Sequence, residues 1–178
     1  MRLHTKSIIR LLSERLEEEP RSGAEVGVWR GGNAADLLAH FKNLSLLLVD
    51  AYDAKLSRSI SNTKQDEYQK AFEEAWTYTF PYRTRSTFLL TDTLTAAESV
   101  EDQSLDFVFL DASHDFDSVR DDILAWRSKV RPGGIMCGHD YDGRGDKKGF
   151  FGVRRAVHSI FEDDQVMKRA GLVWAVQV

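Results

Sequence analysis

The stretch Glu25-Val-Gly-Val-Trp-Arg-Gly-Gly-Asn33, running on into Ala34-Ala-Asp-Leu-Leu-Ala-His-Phe41, decides how the rest of the chain is read. Gly23, Ala24 and the apolar residues 26–28 form the end of a short strand. Gly31 and Gly32 make a tight turn, and residues 34–41 a helix with Leu37, Leu38 and Phe41 on one face. Strand, glycine turn and helix in that order are the first half of a βαβ unit. Glycine suits the turn because the chain must reverse sharply, and because a missing Cβ lets a ligand touch the backbone.

The residues between the glycines narrow the ligand. A dinucleotide cradle wants Gly-x-Gly-x-x-Gly, with the second glycine admitting the pyrophosphate. Trp29 stands at that position, which disfavours a pyrophosphate. The Gly-Lys-Ser/Thr of a phosphate loop is also missing. What remains is Glu-x-Gly-x-x-x-Gly, followed about 20 residues on by Asp50 at the end of the next apolar run, the place for an acid that grips a ribose diol. A carboxylate accepting both ribose hydroxyls makes charge-assisted bonds, stronger than neutral ones.

Working outward, 178 residues predict one domain with a substantial core. The net charge of −4 argues against a nucleic-acid partner. Cys137 is the only cysteine, so no disulfide framework or cysteine zinc site is available. No apolar run approaches the ~18 residues of a membrane helix, and the acidic N-terminal segment does not resemble a signal peptide. A soluble cytoplasmic protein is the expectation.

Residues 5–19 carry Ile8, Ile9, Leu11, Leu12 and Leu16 at helical spacing, with Pro20 just beyond. Ser45-Leu-Leu-Leu-Val49 suits a buried parallel strand ending at Asp50. Residues 54–82 read as a helical and aromatic insertion, with a helix at 67–76 and Phe72, Trp76, Tyr78, Phe80 and Tyr82 behind it. Further strands are predicted at 87–91 and 106–111, with helices at 94–100 and 116–130. Arg131-Pro-Gly-Gly134 reads as the stop of the second helix. A fifth strand at 135–138 precedes His139-Asp140-Tyr141, and 142–150 reads as a glycine-rich, charged loop. A helix at 150–162 and two strands at 166–169 and 172–178, joined at Gly171, complete the chain. Strands alternating with helices predict a three-layer α/β/α sandwich on a mostly parallel, Rossmann-like sheet. Ligands bind such sheets at the carboxyl ends of the strands, where Gly31, Asp50, Thr91, Asp111 and Asp140 fall.

The chain resembles the class I S-adenosylmethionine-dependent methyltransferases, from about residue 23 to 160. The match is carried by Glu25-Val-Gly-Val-Trp-Arg-Gly31 and Val49-Asp50. It is nearest to a small-molecule O-methyltransferase-like group with segments like Leu105-Asp-Phe-Val-Phe-Leu-Asp-Ala-Ser-His114, Val130-Arg-Pro-Gly-Gly134 and Gly138-His-Asp-Tyr141. The resemblance implies a seven-stranded sheet of order 3-2-1-4-5-7-6 with the last strand antiparallel. It further implies that Gly27 and Gly31 line the methionine part of S-adenosyl-L-methionine, with Glu25 supporting the loop or the ammonium. Asp50 would hold the ribose, Thr91, Asp92 and Thr93 would contact adenine, and Asp111 would face the methionine end and the acceptor.

If the strands ending at Asp111 and Asp140 are neighbours, roughly 4.8 Å apart, their carboxylates can converge on a hard cation such as magnesium or manganese. Related metal-dependent enzymes carry an acidic pair after the fifth strand, whereas this chain has His139-Asp140, which shifts preference toward a metal that accepts imidazole. His114 is the leading general base, since its ordinary pKa of ~6.5 suits taking a proton from a hydroxyl; His139 is the second histidine placed at the catalytic end. Structural roles stand beside each of these: Asp50 and Asp111 as helix caps, His114 and His139 as hydrogen-bonded structural histidines, and His4, His40 and His158 as surface or packing residues. The aromatic run reads as core or subunit interface before substrate pocket, leaving a homodimer open, and Lys147-Lys148 as a solvated loop. The expected acceptor is a small molecule, methylated on a hydroxyl; methyl transfer to nitrogen or carbon without metal, or a cofactor-binding protein without catalysis, are the alternatives.

Overall fold

The computed structural model describes residues 1–56, 63–142 and 152–178. Its elements are α1 (Leu3–Arg15), β1 (Ser22–Val26), α2 (Gly32–His40), β2 (Ser45–Val49), α3 (Gln65–Thr79) with a 3₁₀ turn (Phe80–Tyr82), β3 (Ser86–Leu89), α4 (Thr93–Glu98), β4 (Leu105–Leu110), α5 (Phe116–Arg127), β5 (Val130–Gly138), α6 (Val153–His158), β6 (Met167–Arg169) and β7 (Val173–Gln177). The strands form one sheet in the order β3-β2-β1-β4-β5-β7-β6. All pairs among β1 to β5 are parallel, and β7 is antiparallel to both β5 and β6. The expected topology is the observed one.

Alternation along the strands builds a core on each face, because successive side chains of a strand point to opposite sides. Phe107 and Phe109 of β4, Ile135 and Cys137 of β5, and Val173 and Ala175 of β7 join Ile8, Leu11 and Leu12 of α1 and Leu37 and Leu38 of α2. Val108 and Leu110, Met136, and Trp174 and Val176 face the other way, onto Val119, Ile123 and Trp126 of α5 and Val153 and Val157 of α6. Cys137 is fully buried within the sheet, its thiol donating to the Val108 carbonyl at 3.4 Å. Among the described residues no helix is long and apolar enough to cross a membrane.

Several boundaries differ from the sequence reading. The first helix ends at Arg15, so residues 17–19 lie beyond it. Arg131–Gly134 does not stop α5, which ends at Arg127 with Ser128 as its cap. These residues belong instead to β5, where the pairing jumps from Leu105↔Val130 to Phe107↔Ile135. Two steps along β4 thus match five along β5, and the surplus is absorbed as a bulge. Gly133, at φ 79, takes a conformation that other residues resist, and Arg131 pins the bulge through Nε to Asp106 Oδ1 at 2.6 Å. The helix expected at 67–76 is longer and contributes Tyr68, Ala71 and Ala75 to the core. The glycine-rich segment, beyond residue 142 and including Lys147-Lys148 and Phe151, falls outside the described residues, as do residues 57–62.

The strand order reverses direction between β1 and β4, so the turns after these two strands diverge and leave a crevice at their carboxyl ends.

Candidate active site

The glycine turn leaves β1 at Gly27, whose N–H donates to the Val49 carbonyl at 2.8 Å, while the Asp111 N–H donates to Val26 at 2.7 Å. Gly27 sits at φ 92, and a Cβ there would lie 2.4 Å from the Asp111 backbone. The turn and the end of β4 therefore touch through a space only glycine leaves. Asp50 organises the next residues: Oδ2 accepts from Val28 N–H at 3.1 Å and Trp29 N–H at 2.9 Å, and Oδ1 from Tyr52 N–H at 3.0 Å. Burial pushes the Asp50 carboxyl up, against these three bonds. Trp29 and Tyr52 both hold positive φ (51° and 46°), and the Tyr52 hydroxyl donates to the Trp29 carbonyl at 2.7 Å. Two non-glycine residues in that region, joined by one bond, form a strained and fixed corner.

A cleft of about 230 Å³ opens beside this corner, lined by Gly27, Trp29, Asp50, Tyr68, Thr91, Asp92, Thr93, Asp111 and His114. The Trp29 ring meets Tyr68 of α3 edge-on at 5.8 Å. Glu25 and Gly31 are not among the lining residues. Glu25 is buried beneath the turn, where burial first and then Asp111 push its carboxyl well up, with Asn33 beside it pulling the other way. Gly31 packs against α3, a Cβ there falling 2.7 Å from Ala75 Cα, and Arg30 pairs with Glu74 of the same helix. Asp92 lines the cleft but spends its carboxylate on capping α4, Oδ1 accepting from Leu94 and Thr95 N–H at 3.1 Å.

At the other end of the cleft, the loops after β4 and β5 bring four of the expected residues together. His114 Nε2 lies 2.7 Å from Asp140 Oδ2 and 3.7 Å from Asp111 Oδ1. His139 Nδ1 lies 3.3 Å from Asp140 Oδ1 and 3.6 Å from Asp111 Oδ1. Ligand atoms of Asp111, His139 and Asp140 all fall within 4.8 Å of one another. Adjacency of β4 and β5 causes this, together with a positive φ of 54° at Asp140 that turns the chain straight after the strand. Burial alone would lower the two imidazoles, but the neighbouring carboxylates of Asp111 and Asp140 outweigh it, pushing His114 up to about 9 and His139 to about 10. Asp140 is raised by burial and pulled back by both histidines, ending well below the usual carboxylate range.

His4, read from sequence as a surface or packing residue, joins this cluster. Its ring lies 4.8 Å from that of His139, edge to face, and burial followed by the His139 charge lowers its pKa. The signal was available in the spacing: His4 shares a helical face with Ile8, Leu11 and Leu12, all fully buried. Tyr52 and Tyr68 were also missed, and neither has a motif of its own. His158 sits away from the cluster, bonded to the Tyr141 hydroxyl and 2.8 Å from Asp163.

The profile of a methyltransferase domain family matches residues 24–141. No curated protein sequence matches the chain. Among solved structures, similarity of fold extends to a provisionally designated caffeoyl-CoA O-methyltransferase from Staphylococcus aureus (13% identity, 100% of this chain and 84% of that one, TM-score 0.68). It extends also to the N-methyltransferase NodS from Bradyrhizobium japonicum WM9 (15%, 97% and 92%, 0.63), and to spermidine synthase from Thermotoga maritima (12%, 98% and 58%, 0.65). At such identities the likeness concerns the fold.

Proposed function

The chain belongs to the methyltransferase family whose profile covers residues 24–141, and is an S-adenosylmethionine-dependent methyltransferase; on that premise we propose that it methylates a hydroxyl oxygen of a small molecule beside a divalent cation. The observation that carries this reading is the meeting of Asp111, His139 and Asp140 at the ends of adjacent strands, with His114 bonded to Asp140 and lining the cleft.

The cleft suits the cofactor. The absent Cβ of Gly27 leaves backbone accessible between β1 and β4. Asp50 uses three acceptor positions on Val28, Trp29 and Tyr52, and a carboxylate offers about four, so room remains for a ribose hydroxyl. Trp29 and Tyr68 supply apolar walls, and residues 91–93 the lip for adenine. Glu25 and Gly31 act from behind the turn, the first beneath it and the second by admitting α3. When bound, S-adenosylmethionine supplies an electrophilic methyl group that needs in-line placement of the nucleophile more than any acid or base.

The donor set suits a cation: two hard carboxylates and one imidazole, a mixture compatible with manganese or magnesium. Such an ion, when bound, would lower the pKa of a ligated hydroxyl. His114 has two conditions. While Asp111 and Asp140 point their charge at it, the ring is protonated at neutral pH and cannot accept a proton. Were those carboxylates engaged by a cation, the pull would be withdrawn, and the ring would return toward a value at which it could take the proton of an acceptor hydroxyl.

The test is release of S-adenosylhomocysteine across a panel of phenolic, sugar and amine acceptors, with magnesium, manganese or chelator. Turnover of hydroxyl acceptors that collapses in chelator is expected; turnover of amines indifferent to chelator would overturn the proposal.

A further inference from the structure

We propose that Asp122 and Trp126 of α5 are positioning residues for the adenosine end of the cofactor, acting through Thr93; this rests on the reading of the cleft given above. Thr93 lines the cleft and opens α4. Its hydroxyl donates to Asp122 Oδ1, and its carbonyl accepts from Trp126 Nε1 at 3.1 Å. The two α5 residues are four apart, on one face of that helix, and grip Thr93 from beneath at both its side chain and its backbone.

Three features make this grip consequential. β3, which leads into residues 91–93, is one of the two edge strands and only partly buried, so the sheet holds the lip from one side alone. α4 spans six residues, too few to set its own direction without tertiary contacts. And Asp122 is 3% exposed on a face whose neighbours Val119, Ile123 and Trp126 are apolar. Burying a carboxylate among them is unfavourable unless it is bonded, so the face carries a polar group where packing alone would take an aliphatic one.

The helix that makes these contacts starts directly after the catalytic loop. Asp115 caps α5, accepting from Ser118 N–H at 3.0 Å, one residue after His114. One helix therefore touches both ends of the cleft, through its cap one residue after His114 and through Asp122 and Trp126 at Thr93.

The experiment is calorimetric titration of S-adenosylhomocysteine into wild type, Asp122→Ala, Asp122→Asn, Thr93→Val, Trp126→Phe and the double variant Thr93→Val/Asp122→Ala, with circular dichroism verifying folding. Asp122→Ala is expected to weaken binding about tenfold, a coupling of the size that contacting residues show. Asp122→Asn, which keeps an acceptor, should recover most of that affinity. The double variant should bind no more weakly than the weaker single one, and the KM for the methyl donor should rise while the acceptor KM holds. A folded Asp122→Ala that binds as tightly as wild type, or losses that simply add in the double variant, would overturn the inference. If Asp122→Ala does not fold, unchanged binding by both Thr93→Val and Trp126→Phe would overturn it equally. A wild type that binds no S-adenosylhomocysteine, in contrast, removes the reading of the cleft, and this inference with it.

Discussion

His114 Nε2 stands 2.7 Å from Asp140 Oδ2, so one short bond ties the loop after β4 to the loop after β5. His139 shares the same aspartate from the other side. Two imidazoles on one carboxylate make a cluster whose charge state depends on what else that carboxylate holds.

In the absence of a cation the cluster stabilises the fold as an ion-pair network, and the signs of its shifts set the pH window. His114 and His139 have folded pKa values above the ordinary 6.5, so their contribution is complete below about pH 6.5 and is lost as pH rises through about 9 to 10. Asp140 is shifted down, so its share is present above its ordinary value and lost as pH falls below it. Melting of chelator-treated protein should therefore fall between pH 6.5 and 10, by roughly 2–4 °C for each kcal/mol lost. His114→Gln should flatten part of that slope, with His139 supplying the rest. A flat profile in wild type would sink the assignment.

Cation binding competes with the same protons. Manganese or magnesium should raise the melting temperature more at pH 8 than at pH 6, because the ligands must shed protons to bind. Asp111→Asn combined with Asp140→Asn should erase the effect while leaving stabilisation by S-adenosylhomocysteine measurable. The observation that counts against the site is a wild type indifferent to both ions.

Asp50 serves two purposes, so its loss should show twice. Replacement by alanine strands the N–H groups of Val28, Trp29 and Tyr52, each worth about 1 kcal/mol when bonded and more when left buried without a partner. Stability should drop by about 3 kcal/mol, short of unfolding the domain, and the thermal shift from S-adenosylhomocysteine should disappear. Denaturant titration with and without ligand separates the two losses.

Gly27→Ala should be the harshest single change at the turn. The added methyl would lie 2.4 Å from the Asp111 backbone, at φ 92. Backbone strain of that kind amounts to about 1–3 kcal/mol, and relieving it means moving the end of β4. Loss of both cofactor binding and cation response is expected in a protein that still shows native secondary structure by circular dichroism. Retained binding of either ligand would show that the turn yields more easily than its contacts suggest.

Much of the fold was legible because period and punctuation agreed. Ser45–Val49 is the strand the apolar run predicts, and the strand ends placed Asp50, Asp111 and Asp140 on one rim. Arg131–Gly134 misled because proline and glycine mark a bulge as readily as a helix stop; only the pairing of β4 with β5 distinguishes them. Gly31 was read as a ligand contact when its neighbour is Ala75, forty-odd residues away in sequence and invisible to a local motif. Thr93 and Asp92 lie where expected, yet their polar groups turn inward to Asp122 and to the α4 cap. The helical spacing of His4 with Ile8, Leu11 and Leu12 announces an inward face, but nothing near residue 4 announces a partner at 139.

The fully buried Cys137 supplies the molecule with an internal clock. Burial pushes its thiol far up, and β4 and β7 flank the strand that carries it. No disulfide reagent can reach the sulfur without lifting α1 and α2 from that face of the sheet, which exposes much of one core. The rate of its labelling therefore counts openings of that helical layer. Any ligand that binds only the closed state must slow that count by the factor one plus its concentration over Kd, so a colour change from a single sulfur puts the affinities of chemically unrelated ligands on one scale.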